Sequence, residues 1–122
     1  MKTILLVVSA LLLAAPAMAQ HAHQKGPNGG PMEDVAGVHV EMIAAGKVLT
    51  FNILDEANKP LPTSGFSGAV LLTSGSDRET LPLVTSGTAL TAEAKSDIAK
   101  GASVSVTLKT AAGKSGQARF KN

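Results

Sequence analysis

The three histidines of the chain are its residues best suited to chemistry, and all of them precede residue 40. His21 and His23 flank Ala22, and His39 follows within the next strand-like segment. Neutral imidazole is a good ligand for copper, zinc and nickel, and an exposed segment can rearrange around an ion at little cost. The histidines therefore predict a transition-metal site. A polar spacer that happens to contain His21 and His23 is the alternative interpretation.

Two further side chains complete the candidate ligand set. Glu41 lies two residues after His39 on the same predicted strand face, which places their Cβ atoms about 6.6 Å apart, within reach of one ion. Zinc usually takes three or four protein ligands. A third ligand has to come from His21, His23 or Met32, whose thioether suits copper. The predicted metal is copper or zinc, and no organic cofactor is expected. An ordinary solvated strand face is the alternative for His39 and Glu41.

The N-terminal segment, residues 1–19, has the pattern of a secretory signal peptide. Lys2 supplies a positive start, residues 4–15 form an apolar run too short for a membrane span, and Ala17-Met18-Ala19 is a small-x-small cleavage site. We expect cleavage before Gln20, export to a bacterial periplasm, and no membrane insertion once the leader is removed.

Composition excludes several classes of protein. The chain has no cysteine, which excludes a thiolate metal site, a cysteine nucleophile and a lipid anchor. Without disulfides, the domain must be stabilised by its hydrophobic core. Once Lys2 leaves with the leader, ten basic residues balance nine acidic ones. The basic residues are scattered along the sequence, and Tyr and Trp are absent. Neither nucleic-acid binding nor polybasic membrane attachment is expected.

No arrangement of residues predicts an enzyme. No serine lies in a nucleophile-elbow pattern, and His39 is the only candidate base within the domain. The acidic pairs at 33–34 and 55–56 fit solvated turns better than a glycosidase pair. Residues 26–30 are glycine-rich but lack the lysine of a phosphate loop. No catalytic residue is assigned.

Apolar residues alternate with polar ones in several short segments. Val38, Val40 and Met42 fall on one face of a predicted strand and His39 and Glu41 on the other, so we expect the first three inside and the last two exposed. Residues 103–109 show the same alternation. The predicted strands are 38–42, 48–54, 66–73, 78–84, 88–94, 103–109 and 117–120.

These strands predict an all-β domain. About seven strands with turns near every ten residues favour a small antiparallel β-sandwich of immunoglobulin-like type, and an open barrel is the alternative. Pro82 places its strand at a sheet edge. The predicted organisation is a signal peptide at 1–19, a flexible Gly/Pro/His arm at 20–37, and the sandwich domain at 38–122.

The sequence also carries a family resemblance. Gly26-Pro27-Asn28-Gly29-Gly30 followed by Val38-His39-Val40-Glu41 resembles small periplasmic proteins associated with heavy-metal efflux systems. It is also similar to a segment of their periplasmic adaptor subunits, in which G-P-H-G-G precedes a strand ending in a Val-Glu or Leu-Glu pair. Residues 53–55, 59–62 and 101–108 share the likeness. The resemblance implies a β-rich periplasmic fold, metal handling and no enzymatic activity. Asn28 replaces the histidine of that pattern, which shifts the expected ligands to the three histidines.

We therefore expect a soluble periplasmic copper- or zinc-binding protein that acts as a buffer or as a donor to an efflux system. Its expected partner is a periplasmic efflux adaptor or another envelope protein. The alternative is a metal-independent interaction module of the cell envelope that pairs with a partner through an exposed sheet edge.

Overall fold

In the computed structural model, residues 24–122 are described, and they form ten β-strands. The predicted signal peptide, His21 and His23 lie outside the described residues. Over residues 24–122 no helix is long and apolar enough to cross a membrane. The strands are β1 (Gln24–Lys25), β2 (Pro31–Val35), β3 (Val38–Ala45), β4 (Val48–Leu54), β5 (Ser67–Ser74), β6 (Asp77–Pro82), β7 (Val84–Ser86), β8 (Ala89–Glu93), β9 (Ser103–Lys109) and β10 (Ser115–Lys121).

The strands form two antiparallel sheets. One has six strands in the order β1-β2-β3-β4-β8-β7, and the other has four in the order β10-β9-β5-β6. The chain passes from one sheet to the other after β4, after β6 and after β8. The predicted all-β antiparallel sandwich is therefore confirmed, with more strands than the sequence pattern indicates.

The core lies between the two sheets and is built by alternate residues of each strand. In β9, Val104, Val106 and Leu108 are at most 1% exposed, as the alternation predicts. The rings of Phe51 and Phe120, one from each sheet, lie 5.9 Å apart at 54°. A tilted aromatic pair at this distance adds attraction beyond its buried area, and here it joins the two sheets.

Two of the additional strands lie in the predicted arm. β1 pairs with β2, and β2 pairs with β3 from Met32 opposite Glu41 to Val35 opposite Val38. Val35 is 2% exposed and belongs to the core. From Gln24 onward, the stretch predicted as an arm therefore contributes two strands and a core residue to the larger sheet.

The remaining extra strand comes from a change of sheet within one predicted strand, 78–84. β6 ends at Pro82 and pairs with β5, whereas β7 begins at Val84 and pairs with β8 of the other sheet. Between them, the Leu83 amide donates to the Gly68 carbonyl at 3.1 Å. β6 lies at the edge of its sheet, which confirms the placement that Pro82 predicts.

Candidate functional site

A buried carboxyl group lies on the outer side of the six-stranded sheet. Glu41 is 0% exposed. Its Oε2 accepts hydrogen bonds from the backbone amides of Asn28 at 2.8 Å and Gly30 at 3.1 Å. Its Oε1 accepts from the Asn28 side-chain Nδ2 at 2.8 Å and from Asn52 Nδ2 at 3.4 Å. All partners are N–H donors, so the carboxyl group fastens the β1–β2 loop to β3 and β4.

The glycines of this loop allow that close approach. A Cβ atom on Gly26 would collide with the Glu41 side chain, and one on Gly30 would collide with the Met42 carbonyl. Gly29 has a φ of +83°, a conformation that glycine adopts without steric cost. The amide of Gly26 donates to the Gly30 carbonyl at 2.7 Å, which closes the loop. The Gly-rich segment and Glu41 are therefore parts of one structural unit.

The sequence-based prediction that Glu41 is exposed is wrong. The alternation is real, because Val40 and Met42 are 1% and 2% exposed on the inner face as predicted. The outer face at Glu41 is nevertheless covered by the folded loop. Met32, opposite Glu41 in the register, is also buried, at 6% exposure. These two predicted ligands therefore lie beneath the surface, and the oxygens of Glu41 are already engaged.

His39 keeps a partly exposed position on the same outer face. Its Nε2 lies 3.2 Å from Oδ1 of Asp34, its neighbour across the β2–β3 hairpin. Its Nδ1 lies 3.3 Å from Oδ1 of Asn58. The side chain of His39 is 21% exposed and that of Asp34 is 78% exposed. Both ring nitrogens therefore face oxygen atoms, one of them an open carboxylate.

The loop after β4 holds Asn58 in place. Oδ1 of Asp55 accepts the amides of Ala57 at 2.8 Å and Lys59 at 2.9 Å. Asn58 has a φ of +60°, and its amide donates to the Asp55 carbonyl at 2.9 Å. Asparagine tolerates this left-handed conformation better than most residues. These hydrogen bonds fix the backbone of the loop, and the fixed backbone places the side-chain Oδ1 of Asn58 beside His39.

Sequence analysis misses Asp34 and Asn58, and assigns Asp34 to a turn. A signal for Asp34 exists, because a two-residue hairpin loop at Ala36-Gly37 fixes Asp34 opposite His39. Both loop residues have positive φ, 51° and 85°, as a type I′ turn requires. The signal is weak because Asn-Gly or Asp-Gly is the usual sequence of such a turn.

His21 and His23 lie outside the described residues. Among residues 24–122, no group of three or more His, Cys, Asp or Glu side chains is placed to hold a metal ion. The described part of the chain thus brings together His39 and Asp34, and a metal centre needs donors from elsewhere.

A shallow groove adjoins His39. It has a volume of about 300 Å³ and lies between the β1–β2 loop and the loop after β4. Its polar lining includes Asn28, Asn52 and Asn58, and Pro27 and Pro60 form apolar walls. The amide groups of Asn28 and Asn52 are held by Glu41 at one side of this groove.

Fold and site together define an antiparallel β-sandwich in which a buried glutamate fastens a glycine-rich loop beside a surface His–Asp pair. Searches for similar proteins find no matching family, no matching curated protein and no matching solved structure.

Proposed function

We propose that this protein binds a transition-metal ion, copper or zinc, at the His39–Asp34 pair together with His21 and His23, and that it serves as an exported metal buffer or as a donor to an efflux system. The observation that carries the proposal is the contact between His39 Nε2 and Asp34 Oδ1 at 3.2 Å. A tetrahedral zinc ion with bonds of about 2.0–2.1 Å keeps its ligand atoms about 3.3 Å apart. The pair is thus already spaced as two ligands of one ion.

The hydrogen-bonding partners of His39 support a cation at Nε2. Neutral imidazole carries one N–H, and its other nitrogen is an acceptor. When Nδ1 donates to Oδ1 of Asn58, the lone pair of Nε2 faces the Asp34 carboxylate. A metal ion between these two atoms satisfies both of them. The bond to Asn58 also fixes the ring orientation and the tautomer, as hydrogen-bond partners of metal-bound histidines commonly do.

Chain connectivity supports His21 and His23 as the remaining donors. Gln24, which follows His23 directly, pairs with Met32 on β2. Asp34 lies two residues further along β2, so the Cα atoms of Gln24 and Asp34 are about 8 Å apart from strand spacings alone. A histidine one to three residues before Gln24 is therefore tethered within reach of the pair.

The predicted export and the exposed site support a role in transfer. Asp34 is open to solvent, so a partner protein can approach a bound ion without unfolding the sandwich. Glu41 and Met32 are left out of this ligand set because both are buried. The proposed partner is a periplasmic efflux adaptor or another envelope protein, and no catalytic step is assigned.

Calorimetric titration with Zn²⁺ and Cu²⁺ tests the proposal. We expect His39→Ala, Asp34→Asn and the double variant His21→Ala/His23→Ala each to weaken binding at least about tenfold, because each removes donors from one site. Glu93→Gln, an exposed carboxylate elsewhere on the same sheet face, should leave affinity unchanged. Acidification should weaken binding, since protons compete with the metal for imidazole.

Three results would contradict this assignment. Absence of Zn²⁺ and Cu²⁺ binding by the unaltered protein removes the function itself. Tight binding that survives loss of all three histidines assigns the ion to carboxylates or backbone. Dependence on His21 and His23 with no effect of His39→Ala or Asp34→Asn restricts the site to the N-terminal histidines.

The alternative expectation, pairing through an exposed sheet edge, has a narrower basis. Of the four edge strands, β1 and β7 have two and three residues, and β6 ends in Pro82. Short edges and proline are features that limit edge-to-edge pairing. The features that favour this alternative are the seven-residue edge strand β10 and Val84 on β7, which is 58% exposed. Conversion of Val84 to lysine should abolish partner capture under the alternative and leave metal affinity unchanged under our proposal.

A further inference from the structure

The outer side of the four-stranded sheet gathers basic residues that are distant in sequence. Val104, Val106 and Leu108 point into the core, so the residues between and beside them point outward. The strand register places four cations on that outer side. We call this surface the basic face, and its cations are Arg78, Lys109, Arg119 and Lys121.

By strand register, no acidic residue lies on the basic face itself, and at its edge Arg78 lines a pocket together with Asp77, Glu79 and Asp97. In the register of its strands, the other outward positions are mostly serine and threonine, with Gln117, Ala69, Leu71 and Pro82. None of the four cations makes an ion pair with an Asp or Glu within residues 24–122. By contrast, the outer side of the six-stranded sheet carries Asp34, Glu41 and Glu93 and no Lys or Arg on β2, β3, β4 or β8. The two outer sides thus carry opposite charge.

Three of the cations follow the adjacent strands β10 and β9, and the fourth, Arg78, lies across the sheet on β6. Lys121, Ser103, Thr73 and Arg78 occupy one row across all four strands. That row is about 14 Å wide, and Lys109 lies about 20 Å away at the far end of the sheet. Short Ser and Thr side chains between them leave the area flat. Leu71, near the centre, is 38% exposed.

This shape selects among polyanions. A single extended polymer that follows β10 and β9 passes three of these cations but not Arg78, which lies about 14 Å from Lys121 across the sheet. A planar array of anionic head groups contacts all of them together and also meets Leu71. The chain has no Tyr or Trp on which nucleic-acid bases could stack. We propose that the basic face docks on the surface of an anionic lipid membrane, without insertion of any strand, contrary to the expectation drawn from the scatter of basic residues along the sequence.

Vesicle partitioning tests this docking. The protein is mixed, in the presence of a chelator, with phosphatidylcholine vesicles or with vesicles that also contain phosphatidylglycerol. The measured quantity is the ratio of the two partition coefficients, because a retained apolar leader would contribute to both. Each Lys or Arg near an anionic surface raises partitioning by about fivefold, so neutralising four should lower the ratio by more than about a hundredfold. Added salt should lower it as well.

A matched variant separates the basic face from net charge. The test variant carries Arg78→Gln, Lys109→Gln, Arg119→Gln and Lys121→Gln. The control carries Lys25→Gln, Lys47→Gln, Lys59→Gln and Lys100→Gln, which removes the same charge from exposed positions outside the four-stranded sheet. We expect the test variant to lose its preference for anionic vesicles and the control to keep most of it. Circular dichroism should show the same β spectrum for both.

A second measurement reports which side of the protein meets the vesicle. The chain has no cysteine, so a single introduced thiol carries an environment-sensitive fluorophore without ambiguity. Leu71→Cys labels the basic face, and Val48→Cys labels the outer side of the other sheet at the same 38% exposure. We expect anionic vesicles to shift the emission of the Leu71 label and to leave the Val48 label unchanged.

Several outcomes overturn the proposal. Equal loss in the test and control variants assigns the effect to net charge. Equal partitioning of the unaltered protein to both vesicle types excludes head-group recognition. A shift confined to the Val48 label places the contact on the opposite sheet. Binding to inorganic polyphosphate or double-stranded DNA, with none to vesicles, assigns the basic face to a soluble polymer instead.

Discussion

In both sheets of this sandwich, side chains alternate between the core and the outer side. The outer side of the four-stranded sheet is exposed, whereas that of the six-stranded sheet is covered at Glu41. On the four-stranded sheet the outward residues of β9 and β10, such as Thr107 and Arg119, are exposed as alternation predicts. On the six-stranded sheet the outward Glu41 is 0% exposed because the β1–β2 loop covers it. Alternation therefore identifies the side of a sheet that a residue faces, but it does not indicate whether another segment covers that side.

The covered and the open outer side also carry different kinds of polar group. The covered side has one carboxyl group with its hydrogen-bonding capacity committed to structure, and its neighbour His39 is left at the surface with Asp34. The open side has charges with no committed partners among residues 24–122. A covered polar group contributes mainly to stability, and an open one is available to bind other molecules. Substitutions on the two sides should therefore affect different measurements.

The largest loss of stability should come from placing a charged side chain at an inward position of β9. Val106→Asp places a carboxylate in a core without polar partners, and we expect a loss of more than about 4 kcal/mol, enough to unfold the domain. Thr107→Asp, on the adjacent outward position, should change stability by about 0.5 kcal/mol or less. Urea denaturation followed by circular dichroism measures both. A folded Val106→Asp variant would show that the core position is assigned to the wrong side.

The covered carboxyl group provides the next largest effect. Glu41→Ala leaves its N–H donors without a partner beneath the loop, and we expect the free energy of unfolding to fall by about 3 kcal/mol. Glu93→Ala, an exposed carboxylate on the same outer side, should cost about 0.5 kcal/mol or less. Equal midpoints for the two variants in urea would mean that the Glu41 hydrogen bonds add nothing to stability.

Most of the fold could be predicted from sequence, because it depends on local signals. Strand 103–109 is found with its predicted bounds as β9, and Pro82 lies on an edge strand as expected. The hairpin formed by β1 and β2 could not be predicted with the same ease. Proline and glycine dominate that stretch, and a turn with Ala36 at positive φ lacks the usual sequence signal. β2 gains its stability from pairing with β3, which is a tertiary effect.

The candidate site shows a sharper limit of sequence reasoning. Histidine is informative wherever it occurs, so the sequence indicates His39, whereas the role of Asp34 depends on a cross-strand pairing that the sequence does not show. Glu41 was identified as chemically important, but its actual partners are backbone amides and Asn28 on a distant loop. Nearly every residue has a backbone N–H group, so these donors cannot be recognised from residue types or their spacing. The burial of Glu41 therefore could not be inferred from the sequence.

Substitutions in the loop over Glu41 should lower stability in two ways, by steric collision at Gly26 and by backbone conformation at Gly29. Gly26→Ala places a Cβ against the Glu41 side chain, and we expect a loss of about 2 kcal/mol. Gly29→Ala meets no atom within 4 Å but keeps a φ of +83°, which costs about 1 kcal/mol. Chemical denaturation in the Glu41→Ala background distinguishes them. The cost of Gly26→Ala should shrink there and that of Gly29→Ala should persist; unchanged costs for both would exclude a direct contact.

Variants at Asn28, the position where the resembling pattern has histidine, separate side-chain from backbone bonding to Glu41. Asn28 contributes one side-chain and one backbone hydrogen bond to Glu41. Asn28→Ala keeps only the backbone bond, so we expect a loss of about 1.5 kcal/mol. Asn28→His should lose less, because imidazole Nδ1–H occupies a position along the side chain similar to that of the amide nitrogen. Asn28→Asp should lose more than alanine, because it brings a second carboxylate to Glu41. Urea denaturation ranks the three variants. If histidine proves as damaging as aspartate, the residue at this position does not act as a donor to Glu41, and the loop is held by its backbone amides alone.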